Sequence, residues 1–169
     1  KSRIRQPIGV VSMGSMEWLS RITKTSVESL TKPNPTQALA AILSGLRGKT
    51  DVRVLMDAYE WGQTGVASED FKPFIGNKAK LELVVIEDST SGIRAFINAR
   101  KILKDKGLNV ELTAIGVHGA SYEKHMAFVR LEEEGDIKID TSAGVGEGII
   151  RYSYNVLEQK ENGNSDVNA

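Results

Sequence analysis

The chain has 169 residues, 40% hydrophobic and 26% charged, enough to build one core and unlike a disordered or collagen-like composition. Its 22 Lys plus Arg balance 22 Asp plus Glu, so there is no net field to hold a nucleic-acid backbone or an anionic membrane, and any partner must be recognised locally. With no Cys, disulfides, Cys-zinc sites, iron–sulfur clusters and a thiol nucleophile are excluded together.

In chain order, the start Lys1-Ser2-Arg3-Ile4-Arg5 lacks the apolar stretch of a signal peptide, and no apolar run approaches the ~18 residues of a membrane span, so a soluble, cytoplasmic chain is expected. Ile8-Gly9-Val10-Val11 is a short apolar run expected to be a strand ending at Ser12. Because it follows so closely on Lys1, the chain reads as opening inside a fold. Trp18, Leu19 and Ile22 then recur at helical spacing. Lys32-Pro33-Asn34-Pro35 cannot be helix interior, because each Pro pushes its predecessor toward extended geometry; Thr36 to Leu46 reads as a helix, which leaves Lys32 in the loop ahead of it. Val52 to Met56 is expected as a strand, and residues 57–80 show no clear period.

Leu81 to Ile86 is the strongest strand and ends in Glu87-Asp88-Ser89-Thr90-Ser91-Gly92. Ile93, Phe96, Ile97, Ala99, Ile102 and Leu103 follow at intervals of three and four residues, the stripe of an amphipathic helix. Asn109 to Val117 supplies the next strand, so this segment fits a strand–helix–strand crossover in a parallel sheet. A helix over 122–131, a short strand Ile137-Lys138-Ile139, a turn at the Gly-rich 144–148 and a terminal helix over 148–157 complete the expectation. The pattern predicts an α/β fold, a mainly parallel, Rossmann-like sheet flanked by helices, over residues 1–157, with 158–169 as a polar tail.

In such sheets reactive groups collect at the carboxyl ends of the strands, where helix amino termini aim N–H groups at anions. Ser12, Lys32 and the pair Glu87-Asp88 are all expected there, and a hydroxyl, an ammonium and two carboxylates together suit a phosphate beside a divalent cation. Taken singly, each has a structural use: a Pro-rich loop opens helices, and Ser89 or Thr90 with two acids can cap one.

The order of these residues resembles the haloacid dehalogenase-like (HAD) hydrolases, most of which are magnesium-dependent phosphatases. Val10-Val11-Ser12 looks like the family's second motif, Lys32-Pro33-Asn34-Pro35 is similar to its third, and Val84 to Ala95, with Glu87-Asp88 near its centre, looks like its fourth. The resemblance implies that Ser12, with Met13 beside it, binds the transferring phosphoryl group. It also implies that Lys32 neutralises phosphate and nucleophile, that Asp88 and Glu87 hold Mg²⁺, and that the substrate is a small phosphorylated metabolite. The family's first motif, Asp-x-Asp, is absent: Asp136 to Asp140 has the wrong spacing. The expectation is therefore of a fragment whose nucleophilic Asp lies upstream; the alternative is a HAD-like binding or regulatory domain without catalysis. Mutase and dehalogenase chemistry stay open.

Nineteen residues separate Ser12 from Lys32, too few for a cap domain, while 55 lie between Lys32 and Asp88, so residues 57–80 look like an insertion. Gly48-Lys49-Thr50 lacks the earlier Gly and the strand of a P-loop and reads as a helix end. His118 and His125 have six residues between them and do not form a two-His zinc helix; surface or supporting roles are expected. Trp18, Trp61, Phe71 and Phe74 are not interleaved with a basic patch, which speaks against nucleic-acid stacking.

Overall fold

A computed structural model describes residues 10–67, 69, 72, 80–134, 139–148 and 150. The chain divides into two compact units, Lys1–Leu83 with Ser91–Leu112, and Val84–Thr90 with Thr113–Ala169.

Helices dominate the first unit, and each is bounded by residues suited to the task. Helix α1, Met13–Thr23, starts at Ser12, whose extended backbone and side chain form a reciprocal capping box with Ser15. A 3-10 turn, Glu28–Leu30, leads to helix α2, Pro35–Arg47, which has Asn34 as N-cap, Pro35 in its first turn and Gly48 in the left-handed region as C-cap. Gly48-Lys49-Thr50 is thus a helix end, as expected, and Thr50 Oγ1 donates to Ser44 Oγ at 2.9 Å to hold the chain there.

Helix α3, Val52–Thr64, corrects the expected strand over Val52 to Met56. Its opening Val-Arg-Val looks β-like, but Asp51 accepts from the Val54 N–H at 3.0 Å, and the buried residues Val54, Leu55, Ala58 and Trp61 form one helical face. Residues 57–64, part of the stretch without a clear period in the sequence, are accordingly helix interior and helix end. Helices α2 and α3 pack together, and α1 packs on α3. The core of this unit joins Met16, Leu19, Leu39, Leu43, Val54 and Trp61 with Ala95, Ala99 and Leu103 of helix α4, Thr90–Asp105. Polar ties hold its rim: Arg47 Nη2 lies 2.6 Å from Asp57 Oδ2, and the hydroxyls of Thr25 and Tyr59 are 3.0 Å apart.

Three strands form a sheet in the order β1-β2-β3: β1, Lys80–Glu87; β2, Asn109–Val117; and β3, Ile139–Ser142. The expected α/β class with a parallel sheet is therefore present. Strand β2 runs parallel to β3 with Ala114 opposite Ile139 and Val117 opposite Ser142, and the His118 N–H extends the ladder to the Ser142 carbonyl at 3.0 Å. Helix α4 connects β1 to β2, and helix α5, Tyr122–Glu134, connects β2 to β3. The expected strand Ile137 to Ile139 overlaps β3 only at its last residue: β3 begins at Ile139 and runs on to Ser142, and Ile137 and Lys138 lie outside the described residues.

In the second unit α5 packs on β3. Phe128, fully buried on α5, lies so close to Gly116 of β2 that a Cβ there would fall 2.6 Å from its ring, which is why a residue without a side chain stands at that position. The Gly-rich segment departs from the expected turn, because residues 145–148 are helical; the rest of the expected terminal helix, 151–157, lies outside the described residues. Among the described residues no helix is long and apolar enough to cross a membrane.

Candidate functional site

The residues singled out from the sequence fall into two groups, one in each unit. Ser12, Met13 and Lys32 belong to the first; Glu87 and Asp88 belong to the second.

Val10 and Val11 are not strand residues, which corrects the expectation that Ser12 terminates one; Ile8 and Gly9 lie outside the described residues. Ser12 keeps extended backbone because it is an N-cap, and its hydroxyl accepts from the Ser15 N–H at 3.4 Å. Ser12 and Met13 are both exposed at this helix start. Lys32 is half-buried and sits in the loop before α2, as expected. The loop is anchored from a distant part of the chain: Asn98 Nδ2 of α4 donates to the Pro33 carbonyl at 3.0 Å. This contact ties the Lys32 loop to α4 within the first unit.

Glu87 is the last residue of β1 and is half-buried; Asp88 follows it and is exposed; α4 begins at Thr90. The acidic pair therefore stands at the carboxyl end of a parallel strand, immediately before a helix start, the location where α/β sheets gather ligands. Carboxylate oxygens are hard donors suited to Mg²⁺, which binds through one or two of them and fills its other positions with water and phosphate oxygens. Among the described residues no three His, Asp or Glu converge as a metal-holding group.

The same sheet edge carries residues that the motif argument did not use. Strand β2 ends at Val117, and His118 follows it; the turn through Gly119 and Ala120, both in the left-handed region, leads to Ser121, whose hydroxyl accepts from the Lys124 N–H at the start of α5. His125, in the first turn and a half of α5, thereby comes back against His118, with ring centroids 5.3 Å apart and planes at 73°. Both imidazoles are half-buried, and His118 Nδ1 is buried with no hydrogen-bond partner among the described residues. The signal available in the sequence was the polar ring directly after the apolar run Ala114 to Val117; the return of His125 depends on the turn.

Beyond β3, Ser142 is buried, and its hydroxyl donates to the Gly144 carbonyl at 2.6 Å. Glu147 Oε2 accepts from the Ala143 N–H at 3.2 Å, which fixes the start of the last described helical turn. Across known proteins, no family model, no curated protein and no solved structure matches this chain.

Proposed function

We propose that the chain is part of a HAD-like, Mg²⁺-dependent phosphohydrolase acting on a small phosphorylated metabolite, with its nucleophilic Asp in an N-terminal segment outside this chain. The observation that carries this reading is the position of Glu87-Asp88 at the carboxyl end of a parallel β-strand, directly ahead of α4. Exposed Asp88 can present its oxygens to a cation, and Glu87 at the strand end supplies a second carboxylate.

In this account Asp88 and Glu87 hold Mg²⁺, which when bound offsets phosphate charge. Lys32 adds a second positive charge for the transferring oxygens, and its loop is held by the Asn98 to Pro33 hydrogen bond. By the resemblance, the Ser12 hydroxyl and the N–H of Met13 at the amino end of α1 are phosphoryl-binding groups. An Asp outside this chain attacks phosphorus, the phosphorus–oxygen bond to the leaving alcohol breaks as the second Asp of the same motif protonates that oxygen, and that carboxylate then takes a proton from the water that releases phosphate from the acyl phosphate.

A binding or regulatory role is favoured by one observation, that the Ser12 hydroxyl is already engaged in the Ser12–Ser15 capping box. Assay of the protein with its upstream segment, on a generic phosphate monoester with and without Mg²⁺, separates the two. The hydrolase reading expects Mg²⁺-dependent turnover that Asp88→Asn abolishes and Lys32→Ala lowers by about 10²-fold or more. Turnover unchanged in Asp88→Asn removes Asp88 from the site, and no turnover of any phosphate ester leaves the binding role.

A further inference from the structure

We infer that His118 and His125 form a binding site for a borderline divalent cation, Zn²⁺ being the test case, at the carboxyl end of β2. This goes beyond the phosphohydrolase reading and does not depend on it.

The spacing of the two rings suits a shared metal. Two imidazoles bound to one tetrahedral Zn²⁺ place their nitrogens ~2.0–2.1 Å from the metal, and adding the ring radius puts each centroid about 3.2 Å from it. At a tetrahedral angle the two centroids then stand about 5.2 Å apart. The observed separation is 5.3 Å, with the planes at 73°. The rings therefore already occupy the separation that a shared metal requires.

The second observation is chemical. Among the described residues His118 Nδ1 is buried without a hydrogen-bond partner, whereas a buried ring nitrogen ordinarily finds one. A neutral imidazole nitrogen is a ligand for Zn²⁺, Cu²⁺ or Ni²⁺, while Mg²⁺ prefers oxygen, so this site and the acidic pair select different ions. Third, the two ligands are held by backbone rather than by long side chains. His118 is fixed by its N–H bond to the Ser142 carbonyl, and His125 by its N–H bond to the Ser121 carbonyl, both at 3.0 Å. Two protein ligands leave two tetrahedral positions for water or for an oxygen anion, which is the composition of an open site rather than a closed structural one.

The chain contains two His and no Cys, so any imidazole signal from bound metal reports this pair alone. The test is Zn²⁺ titration of the 169-residue chain by calorimetry in excess Mg²⁺, followed by X-ray absorption of the 1:1 sample. The expected result is one Zn²⁺ per chain with two imidazoles in its shell, and binding weakened at least about tenfold in both His118→Gln and His125→Gln. Absence of binding up to ~100 µM Zn²⁺, a bound ion with fewer than two imidazoles, or unaltered affinity in the two variants overturns the proposal. Should either variant fail to fold, the ligand count on the unaltered chain decides alone.

Discussion

Gly116→Ala tests the packing that positions the carboxyl edge of the sheet. The added Cβ would meet Phe128 Cδ2 and Cγ at 2.6 Å and Cδ1 at 2.8 Å, about 1 Å inside ordinary carbon contact. Phe128 is 1% exposed on α5, so the ring cannot swing into solvent, and either α5 lifts from β2 or the strand shifts. Such overpacking costs about 1–3 kcal/mol. Ala also restricts the unfolded chain, which offsets about 0.4–1 kcal/mol, and Gly116 has no left-handed backbone to strain. The net expectation is a loss of about 1–2 kcal/mol, read in urea as a midpoint lowered by roughly 0.5–1 M. Phe128→Leu in the same chain should recover part of it, so the double variant is less destabilised than the sum of the singles by about 1 kcal/mol. A midpoint equal to or above that of the unaltered chain, or strictly additive effects, would refute the close approach of α5 to β2.

Three further outcomes follow from the first unit and the strand ends. Asp57→Asn leaves the Arg47 guanidinium, 11% exposed, without its carboxylate at 2.6 Å, and should cost about 1–3 kcal/mol in urea unfolding. Asp51→Ala removes the N-cap of α3 and should lower the thermal midpoint by about 2–4 °C near neutral pH. The ammonium of Lys49, and then the Val54 N–H, hold the Asp51 carboxyl below its ordinary value of 3.8. Its contribution is therefore present above that value and lost as pH falls through the lowered one, so the gap between Asp51→Ala and the unaltered chain should close in acid. At the other end of the scale, Glu111 and then Glu82 raise Lys80 above 10.5. This contribution is full below that value and is lost as pH rises through the higher one, so Glu111→Gln should matter at pH 8 and lose its effect in strong alkali.

Much of the fold was legible because period and composition agreed over long segments. Asn109 to Val117 is strand at both the expected ends, and the stripe from Ile93 to Leu103 lies inside α4, with Ile93, Ala99 and Leu103 buried. Val52 to Met56 misled because five residues rich in β-branched side chains read as a strand, while the deciding features, the Asp51 cap and Trp61 a further two turns along, lie outside that window. Val10-Val11 misled for a related reason: extended backbone at an N-cap looks like a strand end in sequence.

The candidate site was legible only in one dimension. Lys32 in a loop before a helix, and an acidic pair between a strand and a helix, are local statements that the chain satisfies. The Asn98 to Pro33 bond joins residues 65 positions apart, and the His118–His125 contact needs two consecutive left-handed residues, one of them Ala120, which no residue preference announces.

The central claim, that Glu87 and Asp88 at the end of β1 take a hard divalent cation, is tested most directly by Mg²⁺ titration of the chain followed through its backbone amide NMR shifts. The account predicts saturable shifts concentrated in residues 87–92 and abolished in Asp88→Asn. Shifts centred elsewhere, or the same shifts in Asp88→Asn, would contradict it.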